Sequence, residues 1–183
     1  MDISTLTPGI ITQVASMVES YIENSRDKYL PKAAPLTTEQ RALMEPFFPA
    51  EILDAVRWTV LHGTRIQDPP FYTMARIMGI KNLPSFADTS AVTFIDVVVS
   101  HEEFSPRLLF HELVHAVQYA QLGTKGFASR YTSGFLKAGG YAENPLEKHA
   151  FELEQRFNAN PQTEFSVADE VKRWIGVEQI SYF

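Results

Sequence analysis

The sequence predicts an α+β fold, mainly helical with a small sheet. Three observations lead there. Apolar residues recur at intervals of three and four over several stretches, most clearly at Ile10, Ile11, Val14, Met17, Val18, Tyr21 and Ile22. Residues 56–61 and 91–100 are instead dense in β-branched and aromatic side chains, which suit a pleated surface. The 183 residues show no repeat, low-complexity tract or long linker, so a single domain over 1–183 with one sizeable core is expected.

Taken in order, residues 8–30 read as a helix opened by Thr7-Pro8, a capping hydroxyl followed by a first-turn proline. Pro31 and Pro35 break the pattern. Thr37-Thr38-Glu39-Gln40 starts a short helix that ends before Pro46. Phe47-Phe48-Pro49 is a turn whose two rings are expected in the core. One helical turn over 50–55 precedes the 56–61 strand, which Gly63 ends. Residues 67–72 carry Pro69-Pro70 and read as loop, and a short helix over 73–78 stops at Gly79. Asp88-Thr89-Ser90 and His101-Glu102-Glu103 bound the strand at 91–100. Ser105-Pro106 opens the next helix and Gly123 is its expected stop. Phe127, Tyr131 and Phe135 predict a further helix to about residue 138, broken by Gly139-Gly140. Asn144-Pro145 opens another, with a stripe of Leu146, Ala150, Leu153 and Phe157, closed by Asn160-Pro161. The last helix covers 167–175 and is expected to end at Gly176.

Composition removes several function classes. A net charge of -6 with no basic stripe argues against a nucleic-acid partner. No apolar run approaches the roughly 20 residues of a membrane span. The chain has no cysteine, so disulfides and thiolate ligands are excluded and any metal must be held by His and carboxylates. Met1-Asp2-Ile3-Ser4 is acidic and polar where a signal peptide begins basic and apolar. A cytoplasmic location is therefore the default expectation, and export by a route without a signal peptide would leave no trace.

The chemistry gathers at His111-Glu112-Leu113-Val114-His115, an H-E-x-x-H pattern. On a helix, residues four apart lie one above the other, so both imidazoles project from one face. Two neutral imidazoles held that way supply half of a tetrahedral zinc site. Glu112, one step round, is placed to take a proton from a water at that site, the general-base role of a metallohydrolase. Leu109, Phe110, Leu113, Val114 and Val117 make an apolar stripe, while His111, Glu112, His115 and Gln118 fall on the other side. The polar face thus carries the motif rather than solvating charges.

A third protein ligand is required. Gln118 and Gln121 stand where H-E-x-x-H-x-x-G-x-x-H needs Gly and His, so the three-histidine subclass is excluded. A Glu from a later, antiparallel helix is the other common solution. Glu147, in the first turn of the next well-formed helix, is the leading candidate, with Glu143, Glu152 and Glu154 as reserves. Asn144 with Glu147 three residues on also has the layout of a capping box, a competing use of the same carboxylate. His149 lies about 200° round the helix from Glu147 and reads as surface. His101 and, less so, His62 are candidates to line the cleft. Tyr131 and Tyr141 are candidates to stabilise an oxyanion or to form its wall.

The stretch from Leu108 to Tyr119, with His111, Glu112, His115 and Gln118, resembles the H-E-L-x-H-x-x-Q helix of a bacterial family of zinc metallopeptidase-like domains. Some of these are attached to toxins and to phage-tail-like injection systems. Asn144-Pro145-Leu146-Glu147 and Ala150 are similar to that family's N-P-L-E-x-x-A segment. The resemblance covers residues 91–157, and the first ninety residues match nothing in it. It implies a zincin of the Glu-ligand type: zinc on His111, His115 and Glu147, with Glu112 as base. Such zincins often place an Asp four residues after the third ligand. Phe151 stands there, so support for the site must come from elsewhere.

The expectation is zinc-dependent hydrolysis of peptide or protein substrates. Residues 91–160 would carry the strand, zinc helix and third-ligand helix, and residues 1–90 a role not assigned. The strand beside the site is a candidate to take the substrate as an added strand. Two rivals stand beside it: a binding or scaffold module that keeps the fold but hydrolyses nothing physiological, and a metal-dependent hydrolase of a non-peptide amide.

Overall fold

A computed structural model describes residues 8–77, 79–80, 82–103, 105–138 and 140–180. Its elements run α1 (Pro8–Tyr29), β1 (Ala34–Pro35), α2 (Thr38–Met44), α3 (Ala50–Ala55), β2 (Arg57–Val60), α4 (Tyr72–Ile77), β3 (Ala91–Phe94), β4 (Val97–Ser100), α5 (Pro106–Ala138), α6 (Pro145–Ala159) and α7 (Val167–Ile180). The fold is α+β, mainly helical, with one four-stranded sheet in the order β1-β2-β4-β3. β2 and β4 run parallel, while β1 and β3 pair antiparallel at the two edges.

α5 is the central element. Ser105 Oγ accepts the Leu108 N–H at 3.1 Å, and Pro106 follows as the first helical residue. All five predicted stripe residues join one cluster with Trp58 and Val98 of the sheet and with Phe47, Phe48 and Phe157. Phe110 stacks on Phe157 at 4.4 Å and meets Phe47 edge-on at 5.6 Å. Aromatic pairs of this kind add about 0.5–1.5 kcal/mol each beyond area burial. The opposite face of α5 is not wet either: every residue from Leu109 to Tyr119 is buried. Gly123, at φ 69 and ψ 163, interrupts the helix where a stop was expected, and the chain resumes helical geometry to Ala138.

Three expectations need correction. The 91–100 strand is a hairpin, turned at Ile95-Asp96. Ile95 takes φ 63, strained for a β-branched residue, and packs beside Ile22 and Tyr119. Arg26 of α1 clamps Asp96 through two bonds, 2.6 and 2.8 Å, so tertiary contacts hold a turn that the apolar run concealed. Gly176 does not end α7, which continues to Ile180, since one helix glycine costs only about 1 kcal/mol. His149 is not on the surface. It is 6% exposed and stacks on Trp174 at 4.7 Å and 7°, because α7 covers the side of α6 that faces away from Glu147. Burial pushes its pKa down to about 4.

The predicted capping at Thr7 and the Gly139 half of the predicted Gly-Gly break lie outside the described residues, as does Met78. Thr37 caps α2 in a full capping box with Gln40. No helix among the described residues is long and apolar enough to cross a membrane.

Candidate metal centre

His111 and His115, one turn apart on α5, meet Glu147 from the first turn of α6. Their ligand atoms lie within 4.8 Å of one another, and all three residues are buried. Glu147 Oε2 stands 3.4 Å from His115 Nε2 and 3.6 Å from His111 Nε2. The competing use of Glu147 does not occur: Asn144 caps α6 alone, accepting the Leu146 N–H at 3.1 Å. The Asn144 amide also donates to the Tyr131 carbonyl at 3.0 Å, tying α6 to the second half of α5.

The packing of α6 on α5 demands a gap in the side-chain layer. A Cβ on Gly134 would stand 2.7 Å from Pro145 Cδ and 3.1 Å from Asn144 Oδ1. Only glycine admits that approach, and Glu147 follows two residues after Pro145.

Both imidazoles are backed. His111 Nδ1 donates to Glu154 Oε2 at 2.9 Å, and Arg107 pairs with the other oxygen of Glu154. His115 Nδ1 donates to Gln118 Oε1 at 2.9 Å, while the Gln118 amide donates to the Leu146 carbonyl at 3.1 Å. With each Nδ1 so engaged, both Nε2 atoms turn to Glu147. Tyr141 donates its hydroxyl to Glu147 Oε2 at 2.8 Å. The support that the sequence required from outside position 151 comes from Glu154, Gln118 and Tyr141, and Phe151 packs on the His111 ring at 4.6 Å.

The fit to a cation is electrostatic as well as geometric. The two Nε2 atoms are 3.2 Å apart, and two lone pairs cannot face each other so closely without positive charge between or beside them. In the metal-free chain protons supply it. Burial lowers the His111 pKa, but Glu147 and Glu154 outweigh burial and raise it to about 10. His115 is raised too, against burial, mainly by Glu147. Glu147 is held well below the carboxylate range: burial opposes this, and the two imidazoles win. Two nitrogens and one carboxylate, buried and converging, form a donor set suited to zinc.

Glu112 is 4% exposed, and Thr93 of β3 donates to its Oε2 at 2.7 Å and to its carbonyl at 3.2 Å. Glu112, His115, Glu147 and Tyr141 border one cavity, which also touches every residue of β3. Successive side chains on a strand point to opposite faces. A cavity bordered by all four of Ala91, Val92, Thr93 and Phe94 therefore runs along the free edge of β3.

The remaining candidates lie elsewhere. Among the reserves, Glu154 backs His111, Glu143 pairs with Lys148 at the surface, and Glu152 is exposed. His101 does not line the cavity. Its ring accepts the Ile66 N–H at 3.0 Å and donates to the Thr89 carbonyl at 2.7 Å, which pins a loop to the hairpin. His62 is exposed. Tyr131 is in the cavity wall, stacked beside Phe127. Sequence reasoning missed Gln118, Arg107 and Thr93 as supports. The first two carried a signal, lying three residues after His115 and four before His111 on one helix; Thr93 carried none. No family model, curated protein or solved structure matches this chain.

Proposed function

We propose that this protein is a zinc-dependent peptidase, with His111, His115 and Glu147 as ligands and Glu112 as general base. One observation carries the reading: three buried ligand atoms within 4.8 Å adjoin a carboxylate, and both border a cavity along a free strand edge. A zinc ion held by these three residues would polarise a carbonyl and lower the pKa of water toward about 7.

The chain's own groups do the rest. β3, at the edge of the sheet, offers its outer main-chain groups to an extended peptide, which aligns the scissile bond with the cluster. Glu112 takes a proton from the attacking water as the new C–O bond forms. It passes that proton to the amine nitrogen as the C–N bond breaks, with no covalent enzyme intermediate. Thr93 holds one carboxylate oxygen of this base in place. Tyr141 fixes the orientation of Glu147.

Elemental analysis of protein expressed with ample metal should find about one zinc per chain. Glu112→Gln should retain the metal and lose turnover of a mixed peptide library. Metal-free protein from that expression would remove the reading, and an unimpaired Glu112→Gln variant would remove Glu112 from its role.

A further inference from the structure

The cavity beside the cluster is far more apolar than a hydrolytic centre requires. Its lining includes Val14 and Val18 of α1, Phe71 and Phe86 from the segment around α4, and Phe127 and Phe135 from the second half of α5. The space in it open to a water-sized sphere is about 110 Å³, the scale of a single side chain rather than of a whole ligand. Among the described residues its lining holds no Lys, Arg or Asp, and its carboxylates are Glu112 and Glu147 of the cluster itself. An anionic substrate side chain entering it would lose water and meet no Lys or Arg, and a cationic one would find only the two carboxylates of the cluster, away from the apolar walls.

The wall nearest the metal ligands is aromatic. Phe127 lies edge-on to His115 at 6.3 Å, stacks on Tyr119 at 3.7 Å and lies parallel to Tyr131 at 6.0 Å. An aromatic side chain finds there rings to meet face or edge, as well as apolar area. α1 and the α4 segment complete the enclosure, so the first ninety residues supply much of the wall.

We propose that this cavity is a specificity pocket for a bulky apolar residue, aromatic by preference, adjoining the scissile bond. This deepens the peptidase reading and rests on it. The N-terminal part of the chain, through α1 and the segment around α4, then selects the substrate, while α5 and α6 carry the chemistry.

The test starts with binding to metal-free protein. N-acetyl-phenylalaninamide should shift the NMR methyl signals of Val14 and Val18 saturably. N-acetyl-alaninamide and N-acetyl-lysinamide should not. Val18→Trp should abolish the shift at Val14 and leave zinc content unchanged. With zinc-loaded protein, peptides bearing Phe beside the cleaved bond should exceed their Ala counterparts by about 100-fold in kcat/KM. Absence of a saturable shift in the native protein, or equal response to the lysine probe, overturns the proposal, whether or not Val18→Trp folds. Peptide cleavage without apolar preference also overturns it and leaves the peptidase reading standing. Saturable Phe binding with no hydrolysis of any peptide overturns the peptidase reading and with it the assignment to a scissile bond, while the apolar ligand class stands.

Discussion

His111 and His115 aim their Nε2 atoms at each other across 3.2 Å, and that contact sets the chemistry of the site. A proton or a metal ion relieves it, and the two compete. The metal-free His111 pKa is raised to about 10, yet a ligand imidazole must be neutral. Each zinc bound below that pH therefore expels a proton. Affinity should rise with pH, by about tenfold per unit for each proton expelled, and level off toward pH 10. Competition against a chelator between pH 6 and 9 reads this slope, and a flat profile would mean that the imidazoles are not ligands. Glu154 is the second lever. Its carboxylate sits 4% exposed behind His111 and is itself held low, against burial, by His111 and Arg107. Glu154→Gln should weaken zinc binding by about 10–100-fold, in line with losses seen when a ligand's hydrogen-bond partner is changed. The same chelator titration measures it, and unchanged affinity would make the His111–Glu154 contact incidental.

At the scale of elements, the site exists because α6 can approach α5 closely. Gly134 is the point of closest approach, with Pro145 and Asn144 against it. In an ordinary helix interior Gly→Ala stabilises by about 0.5–1 kcal/mol. Here the added methyl meets Pro145 Cδ at 2.7 Å, so α6 must shift. Gly134→Ala should destabilise by about 1–3 kcal/mol, as overpacking does, and should lower zinc retention because Glu147 moves with the α6 terminus. Urea unfolding and metal analysis of one preparation check both, and a stabilised variant would show that the approach has slack. The β3–β4 hairpin is the other decisive element. Its turn exposes the β3 edge to the cavity and carries Thr93 to Glu112. The apolar run from Val92 to Val99 hid that turn, and only Asp96 within it pointed to one.

For the whole molecule, the three proposed ligands come from two helices joined through the stretch after Gly123, so a metal bound there would link its binding to folding. An ion that binds only the folded chain adds about 4 kcal/mol at a free concentration 1,000 times its Kd. Calorimetry should show Tm rising with zinc and falling again with chelator, and a Tm indifferent to both would place the metal outside the folded site. The enclosing shell is also a property of the whole. α7 covers His149 through Trp174, and α1 walls the cavity through Val14 and Val18.

The sequence by itself determined the helix-rich class, the paired histidines and the carboxylate of Glu112 beside them. Those follow from local rules: 3.6-residue periodicity, capping chemistry at Ser105, and four-residue spacing on one helix face. It also singled out Glu147, though without deciding between a carboxylate turned toward the imidazoles and one turned back to cap its own helix. Tertiary structure decided that, because only the distance between α5 and α6 distinguishes a carboxylate that reaches two imidazoles from one that folds back on Asn144. It likewise decided the roles of Glu154, Gln118 and Thr93, the fate of His149, and the apolar wall built from α1. Each depends on what another element brings within a few ångströms, and periodicity along one segment holds no record of its partner across the core.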